Sequence, residues 1–253
     1  MPSKTPNRFH FPLTTSHLPL ARVPLIITID GPGGVGKSTV AKRLAQELGV
    51  MYLDTGATYR ALAHAALERQ LSPVTDVRPL AALARQLPLR FEPAAGGSLR
   101  VTLDGRDITK AIRTERISEA AAQLSQHPEV RSAMVMLQRR LANRHGVVVE
   151  GRDTGSVVFP AATHKFFLDA DPEIRAQRRQ RELKKLYGTQ PPLVEVKEQL
   201  QLRDGLDRTR RVGPLVKPTG AVAIDTSHLS VLQVVRAMRR SINHASRVRS
   251  PLP

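Results

Sequence analysis

The sequence predicts an α/β fold with a parallel central sheet, and three observations carry the prediction. Short runs of β-branched and apolar residues alternate with segments of helical period along most of the 253 residues, the pattern of strands joined by crossover helices. The first run, Leu25 to Ile29, stops at Asp30 and a loop with four glycines in six residues, Gly31 to Gly36, after which a helix begins. Between Pro88 and Thr109 the period drops to that of short strands, which inserts a small antiparallel sheet into the alternating chain. The length suits one domain with such an insert and is enough to bury a core.

The glycine loop carries the first chemistry. Gly31, Pro32, Gly33, Gly34, Val35, Gly36, Lys37 and Ser38 stand at the spacing of a phosphate-binding loop. Backbone amides there must come close to phosphate oxygens, and Cβ atoms would be in the way. Lys37 brings a point charge to the β and γ phosphates and Ser38 offers its hydroxyl to Mg²⁺. The helix that starts near Lys37, with Thr39 in its first turn, aims its positive dipole end at the anion. Gly31, Gly33 and Gly36 also spell the dinucleotide pattern G-x-G-x-x-G, with Asp54 where that pattern expects an acid. Lys37-Ser38 decides between the two, because a triphosphate with its metal needs that pair and a dinucleotide does not.

After the loop, Val40, Ala41, Leu44, Ala45 and Leu48 recur at helical spacing, and Gly49 stands where a helix ends. Val50 to Leu53 is the second strand. Asp54 and Thr55 follow as caps to a helix over Thr58 to Gln70. Arg60, early on that helix and beyond a strand's carboxyl end, is either a surface arginine or a crevice residue of the kind open α/β sheets use. Asp76 to Gln86 is a further helix. The inserted strands are Pro88–Glu92, Leu99–Leu103 and Arg106–Thr109, the last two joined by the hairpin signal Asp104-Gly105.

Helices are expected over Thr114–Ser125 and Pro128–Arg144, the second carrying Arg131. Val147 to Glu150 is a strand, and Gly151-Arg152-Asp153 at its carboxyl tip sets a cation and a carboxylate over the crevice, or else makes a loop salt bridge. His164–Asp169 is a strand. Pro172 opens a helix bearing Arg175, Arg178, Arg179 and Arg181, which reads either as a solvated face or as a mobile lid bringing cations to a transferring phosphoryl group. The next helix, Leu193–Arg211, places Arg203, Asp207 and Arg210 on one face, as a ladder of ion pairs or as a reader of a sugar or base. Val222–Asp225 and Val231–Ile242 are the last strand and helix.

Composition bounds the function. There is no Cys, so disulfides and thiolate metal sites are excluded, and the histidines show no ligand spacing. No apolar run reaches the length that spans a bilayer. The net charge of +17 raises nucleic acid as a partner. Much of it lies at the ends, however. Lys4, Arg8 and Arg22 precede any acid, and Arg236, Arg239, Arg240, Arg247 and Arg249 follow the last one. No interleaved aromatic platform accompanies them. Residues 1–22, rich in Pro, Ser, Thr and His, read as a disordered extension, and 246–253 as a basic tail.

Taken together, the blocks ITIDGPGGVGKST, LDTGATYRALA, AIRTERI, EGRDTGSVVFP, KFFLDADPEIRAQRR and RDGLDRTRRVGPLV resemble the bacterial cytidylate kinases over nearly all of residues 23–245. The resemblance implies a three-layer α/β/α nucleoside monophosphate kinase with an acceptor-nucleotide insert at about 86–113 and a helical lid at about 175–195. It implies transfer of the γ-phosphoryl group of ATP to CMP or dCMP with Mg²⁺ at Ser38, in the cytoplasm, by a monomer without membrane or specific nucleic-acid partners. The ATP loop then falls on Gly31 to Thr39. Acceptor phosphate contacts fall on Arg60, Arg131 and Arg152, with Thr55 beside them, and cytosine and ribose contacts on Asp153, Arg203, Asp207 and Arg210. The catalytic cations are Lys37, Arg152 and, from the lid, Arg178 and Arg179.

Two positions depart from the family pattern. Gly33 and Ala122 stand where members often carry Ser, each a loss of about 1 kcal/mol of hydrogen bonding. Two other readings compete: a kinase of this loop class for UMP or shikimate, and a nucleic-acid-binding protein with a regulatory nucleotide site.

Overall fold

The structure, a computed structural model, describes residues 24–94, 98–142 and 146–249. The expected extension over 1–22 lies outside them. β1 (Ile26–Asp30) leads into α1 (Lys37–Leu48), whose buried stripe is Val40, Ala41, Leu44 and Ala45 and which ends on Gly49 at φ 64°. β2 (Met51–Asp54) passes directly into α2 (Thr55–Glu68). That helix starts three residues earlier than expected, because the Asp54 carboxylate already accepts the Ala57 N–H at 2.9 Å.

α3 (Val77–Gln86) precedes the insert, which is β3 (Leu89–Ala94), β4 (Ser98–Leu103) and β5 (Arg106–Asp107). These pair antiparallel in the order β3-β4-β5, with Asp104 and Gly105 both at positive φ in the tight turn. α4 (Glu115–Leu124) and α5 (Pro128–Leu141) follow. Residues 143–144, expected to end α5, lie outside the described residues.

β6 (Val147–Gly151), β7 (His164–Asp169), α6 (Pro172–Tyr187), α7 (Leu193–Thr209), β8 (Val222–Asp225) and α8 (Val231–Arg249) complete the chain. α7 stops at Thr209, so Arg210 lies one residue past the helix rather than on its face. The Leu215 N–H bonds the Asp207 carbonyl at 2.8 Å and turns the chain there. α8 continues to Arg249, so the tail expected from residue 246 begins inside a helix; its last residues, from 250, lie outside the described part.

The central sheet has the order β2-β6-β1-β7-β8, every pair parallel. β1 is central and buried on both faces, as an apolar parallel strand requires. One apolar cluster packs α1 and α8 on the sheet, and a second joins α2, α3, α4 and α5 to the insert. The chain leaves β1 toward β2 on one side and reaches β7 on the other. The carboxyl ends of β1, β6 and β7 therefore open a crevice at the switch point. α6 and α7 form a separate pair with a small core of Ala176, Val196 and Leu200.

Candidate active site

The crevice has a volume of about 1120 Å³, more than one drug-sized ligand fills. Its floor is the glycine loop from Gly33 to Thr39. Gly31 and Pro32 lie beneath it. A Cβ on Gly31, at φ +150°, would stand 2.1 Å from the Leu168 carbonyl oxygen, so β7 packing by itself requires a glycine here.

Lys37 is 6% exposed and its Nζ donates to the Pro32 carbonyl at 2.7 Å. Burial, and then the Arg152 cation, bring its pKa down to about 7 against the pull of Glu150, Asp204 and Asp30. The Ser38 hydroxyl stands beside the Glu150 carboxylate, which also accepts the Tyr52 hydroxyl at 2.8 Å. Burial, and then the Asp54 charge, raise the pKa of Glu150. Arg60 donates to Asp54 at 2.9 Å from its place on α2. At Asp54, burial is outweighed by Arg60 and the Ala57 N–H, which hold its carboxyl below the usual range.

The opposite wall is made of cations. Arg131, 2% exposed on α5, pairs with Asp153 and lies over the Tyr59 ring at 5.7 Å. Arg152 Nε donates to Asp207 at 2.9 Å, and Arg210 reaches the other oxygen of that carboxylate at 3.4 Å. Burial works against the Arg152 charge, but Asp207 and Asp204 more than offset it and hold its pKa up. At Asp207 the order is the same: burial opposes ionisation and Arg152, Arg210 and Arg203 outweigh it. Arg203 is exposed on α7 at the rim; crowding by the walls, and then the Arg152 cation, still lower its pKa to about 10. Arg131 Nε and both Nε and Nη2 of Arg210 are buried donors with no hydrogen-bond partner.

Thr55 lines the crevice, and its hydroxyl donates to the Glu150 carbonyl at 2.8 Å. Arg178 and Arg179 line the wall from α6. Arg178 is tied to Thr226 Oγ1 at 3.0 Å and to the Thr226 carbonyl at 2.6 Å, and Arg179 pairs with Glu182 at 2.9 Å. At the end of α6 the Tyr187 hydroxyl donates to the Arg113 carbonyl across the crevice mouth. Ala122 lines the crevice between Ser118 and Ser125.

Sequence reasoning missed Asp30 and Asp204. Asp30, fully buried at the tip of β1, accepts Thr154 N–H, Thr154 Oγ1 and Gly155 N–H at 2.7, 2.8 and 2.7 Å. It thereby fixes the turn that follows Gly151-Arg152-Asp153. Desolvation raises its pKa in spite of those bonds. Its only sequence signal is a carboxylate between an apolar strand and a glycine.

The cytidylate kinase family model matches residues 27–244. A cytidylate kinase from Edwardsiella ictaluri (strain 93-146) is 45% identical over 213 residues, 83% of this chain and 92% of that protein. A cytidylate kinase from Desulfitobacterium hafniense (strain Y51) is 43% identical over 211 residues, 83% of this chain and 89% of that one. Among solved structures, a shikimate kinase from Acinetobacter baumannii, 15% identical over 87% of this chain and 94% of its own, superposes at a TM-score of 0.43.

Proposed function

This chain belongs to the cytidylate kinase family and is an ATP-dependent phosphotransferase; on that premise we propose that it transfers the γ-phosphoryl group of ATP to CMP and dCMP. The observation that carries the acceptor assignment is the set of buried arginine donors without partners, at Arg131 for the acceptor phosphate and at Arg210 for the base and ribose, in the crevice that the glycine loop also lines. A buried guanidinium with unmade hydrogen bonds is costly unless an anion comes to it.

The donor phosphates lie on the Gly31–Thr39 loop with Lys37 among their oxygens. The acceptor phosphate meets Arg60, Arg131 and Arg152 beside Thr55, while Asp153, Arg203, Asp207 and Arg210 read the cytosine and ribose. A nucleotide phosphate is already an anionic nucleophile at neutral pH, so the chain has no proton to remove. Its work is alignment and charge compensation. Arg152 stands between the two halves, held by Asp207 and close enough to Lys37 to depress it. The segment at about 175–195 serves as the lid, excluding water and bringing Arg178 and Arg179 to the transferring group. The β3–β5 sheet is the acceptor-side insert.

Mg²⁺ fits the oxygen donors gathered at Ser38, Glu150 and Asp54, the set a hard cation prefers. Ser38 would hold it, and it would neutralise charge on the β and γ oxygens. Among the described residues no helix is long and apolar enough to cross a membrane. The reading carries with it a cytoplasmic location.

The test is ADP release from MgATP with CMP, dCMP, UMP, AMP and shikimate as separate acceptors. Turnover confined to CMP and dCMP is the expected result. Equal turnover with UMP or shikimate would overturn the acceptor assignment.

A further inference from the structure

Both backbone polar atoms of Gly33 are gripped by one ion pair. Asp204 Oδ1 accepts the Gly33 N–H at 2.9 Å, and Arg175 Nη1 donates to the Gly33 carbonyl at 3.2 Å. The same Nη1 also pairs with Asp204 Oδ2. Asp204 is 1% exposed and Arg175 6%, so the pair is sealed between the loop and the two helices that supply it, α6 and α7. The loop is shaped to admit them. A Cβ at Gly33 would come within 2.8 Å of Leu200 Cδ2, and one at Gly34, where φ is +77°, within 2.7 Å of the Arg175 carbonyl oxygen. Gly33, a departure from the family pattern, is thus matched by an α7 residue lying against it.

Holding two helices together does not require this arrangement, since an apolar pair of similar volume does so at least as well. What the charged pair adds is a fixed register between one loop residue and α7. On α7, Asp204 is flanked by Arg203 and followed by Asp207, both of which line the crevice.

We propose that Arg175 and Asp204 form a positioning clamp that sets the ATP loop against α7, and so aligns the donor phosphate with the acceptor that Arg203 and Asp207 hold. The clamp rests on the CMP kinase reading above. Neither residue touches substrate; both act through Gly33 and α7. Alignment errors of an ångström are costly in such a reaction, so the clamp acts on turnover and not on nucleotide affinity.

The experiment compares wild type, Asp204→Asn, and the double variant Arg175→Met with Asp204→Leu. The double variant removes both charges and leaves no stranded ion. For each, kcat with CMP, KM for ATP, the ratio of ADP to CDP formed, and the thermal melt are measured. Folded variants are expected to lose at least about tenfold in kcat, keep KM for ATP within about threefold, and form ADP in excess of CDP. Wild-type kcat with a one-to-one product ratio in a folded variant would overturn the clamp. So would a loss of ATP binding in step with kcat, or a loss of cooperative melting in both variants. If wild type itself forms no CDP, the functional reading fails instead, which separates the two.

Discussion

On the reading proposed above, the donor half of the crevice is made of backbone and the acceptor half of side chains. The donor loop is one contiguous stretch that offers amides, a helix start and a single lysine. The acceptor half gathers Arg60, Arg131, Arg152, Arg203 and Arg210 from α2, α5, the end of β6 and α7 with its trailing residue. Four of these five cations are set by a carboxylate: Asp54 for Arg60, Asp153 for Arg131, and Asp207 for both Arg152 and Arg210. A backbone site reads what all triphosphates share. A site of paired side chains can be shaped to one acceptor, at the cost of burying charges that depend on one another.

If the halves differ in this way, substitutions should separate them. The largest effect is expected at Lys37. Lys37→Met removes the loop's one charged side chain and should lower kcat by about a thousandfold, since a lost transition-state charge contact costs that order. Coupled ADP assays would show it with CMP and dCMP alike. Asp207→Ala comes next. It leaves Arg152 and Arg210 without their carboxylate, and should raise KM for CMP about thirtyfold, the cost of truncating a buried charge pair. KM for ATP should stay unchanged.

A smaller effect distinguishes the halves by protons. With its pKa near 7 in the free enzyme, Lys37 is about nine-tenths neutral at pH 8. ATP favours the charged form, so binding should take up about one proton there, and ATP affinity should weaken as pH rises above 7. Calorimetry in two buffers of different ionisation enthalpy measures the uptake, which Lys37→Met should abolish. CMP binding should show no such uptake from Lys37. The smallest change is Ala122→Ser, which restores a hydroxyl on the acceptor wall and should tighten CMP by about fivefold, one hydrogen bond's worth. ATP binding should be indifferent to it.

The same contrast explains what could be read from the chain. The glycine loop, the strand–helix alternation, the Asp104-Gly105 hairpin and the Gly49 helix end are local, and each appears where its residues put it. The partners of Arg131 and Arg152, and of the acids at Asp30 and Asp204, are not local. Arg131 and Asp153 are 22 residues apart, Arg152 and Asp207 55, Asp30 and Thr154 124, and Gly33 and Asp204 171. Nothing in a single stretch announces such a pair. Gly31 carries a second requirement that its motif does not announce: the backbone of β7 at Leu168 leaves no room for a Cβ there. At the carboxyl end, arginine-rich composition suggested a tail. Arginine is a good helix former, however, and the first breaker after Ile242 is Pro251.

The most direct measurement is titration of CMP, without ATP, into wild type, Lys37→Met and Asp207→Ala. An acceptor site built separately from the donor loop predicts that Lys37→Met binds CMP within about threefold of wild type while Asp207→Ala loses tenfold or more. Equal losses in the two variants, or CMP binding untouched by Asp207→Ala, would contradict it.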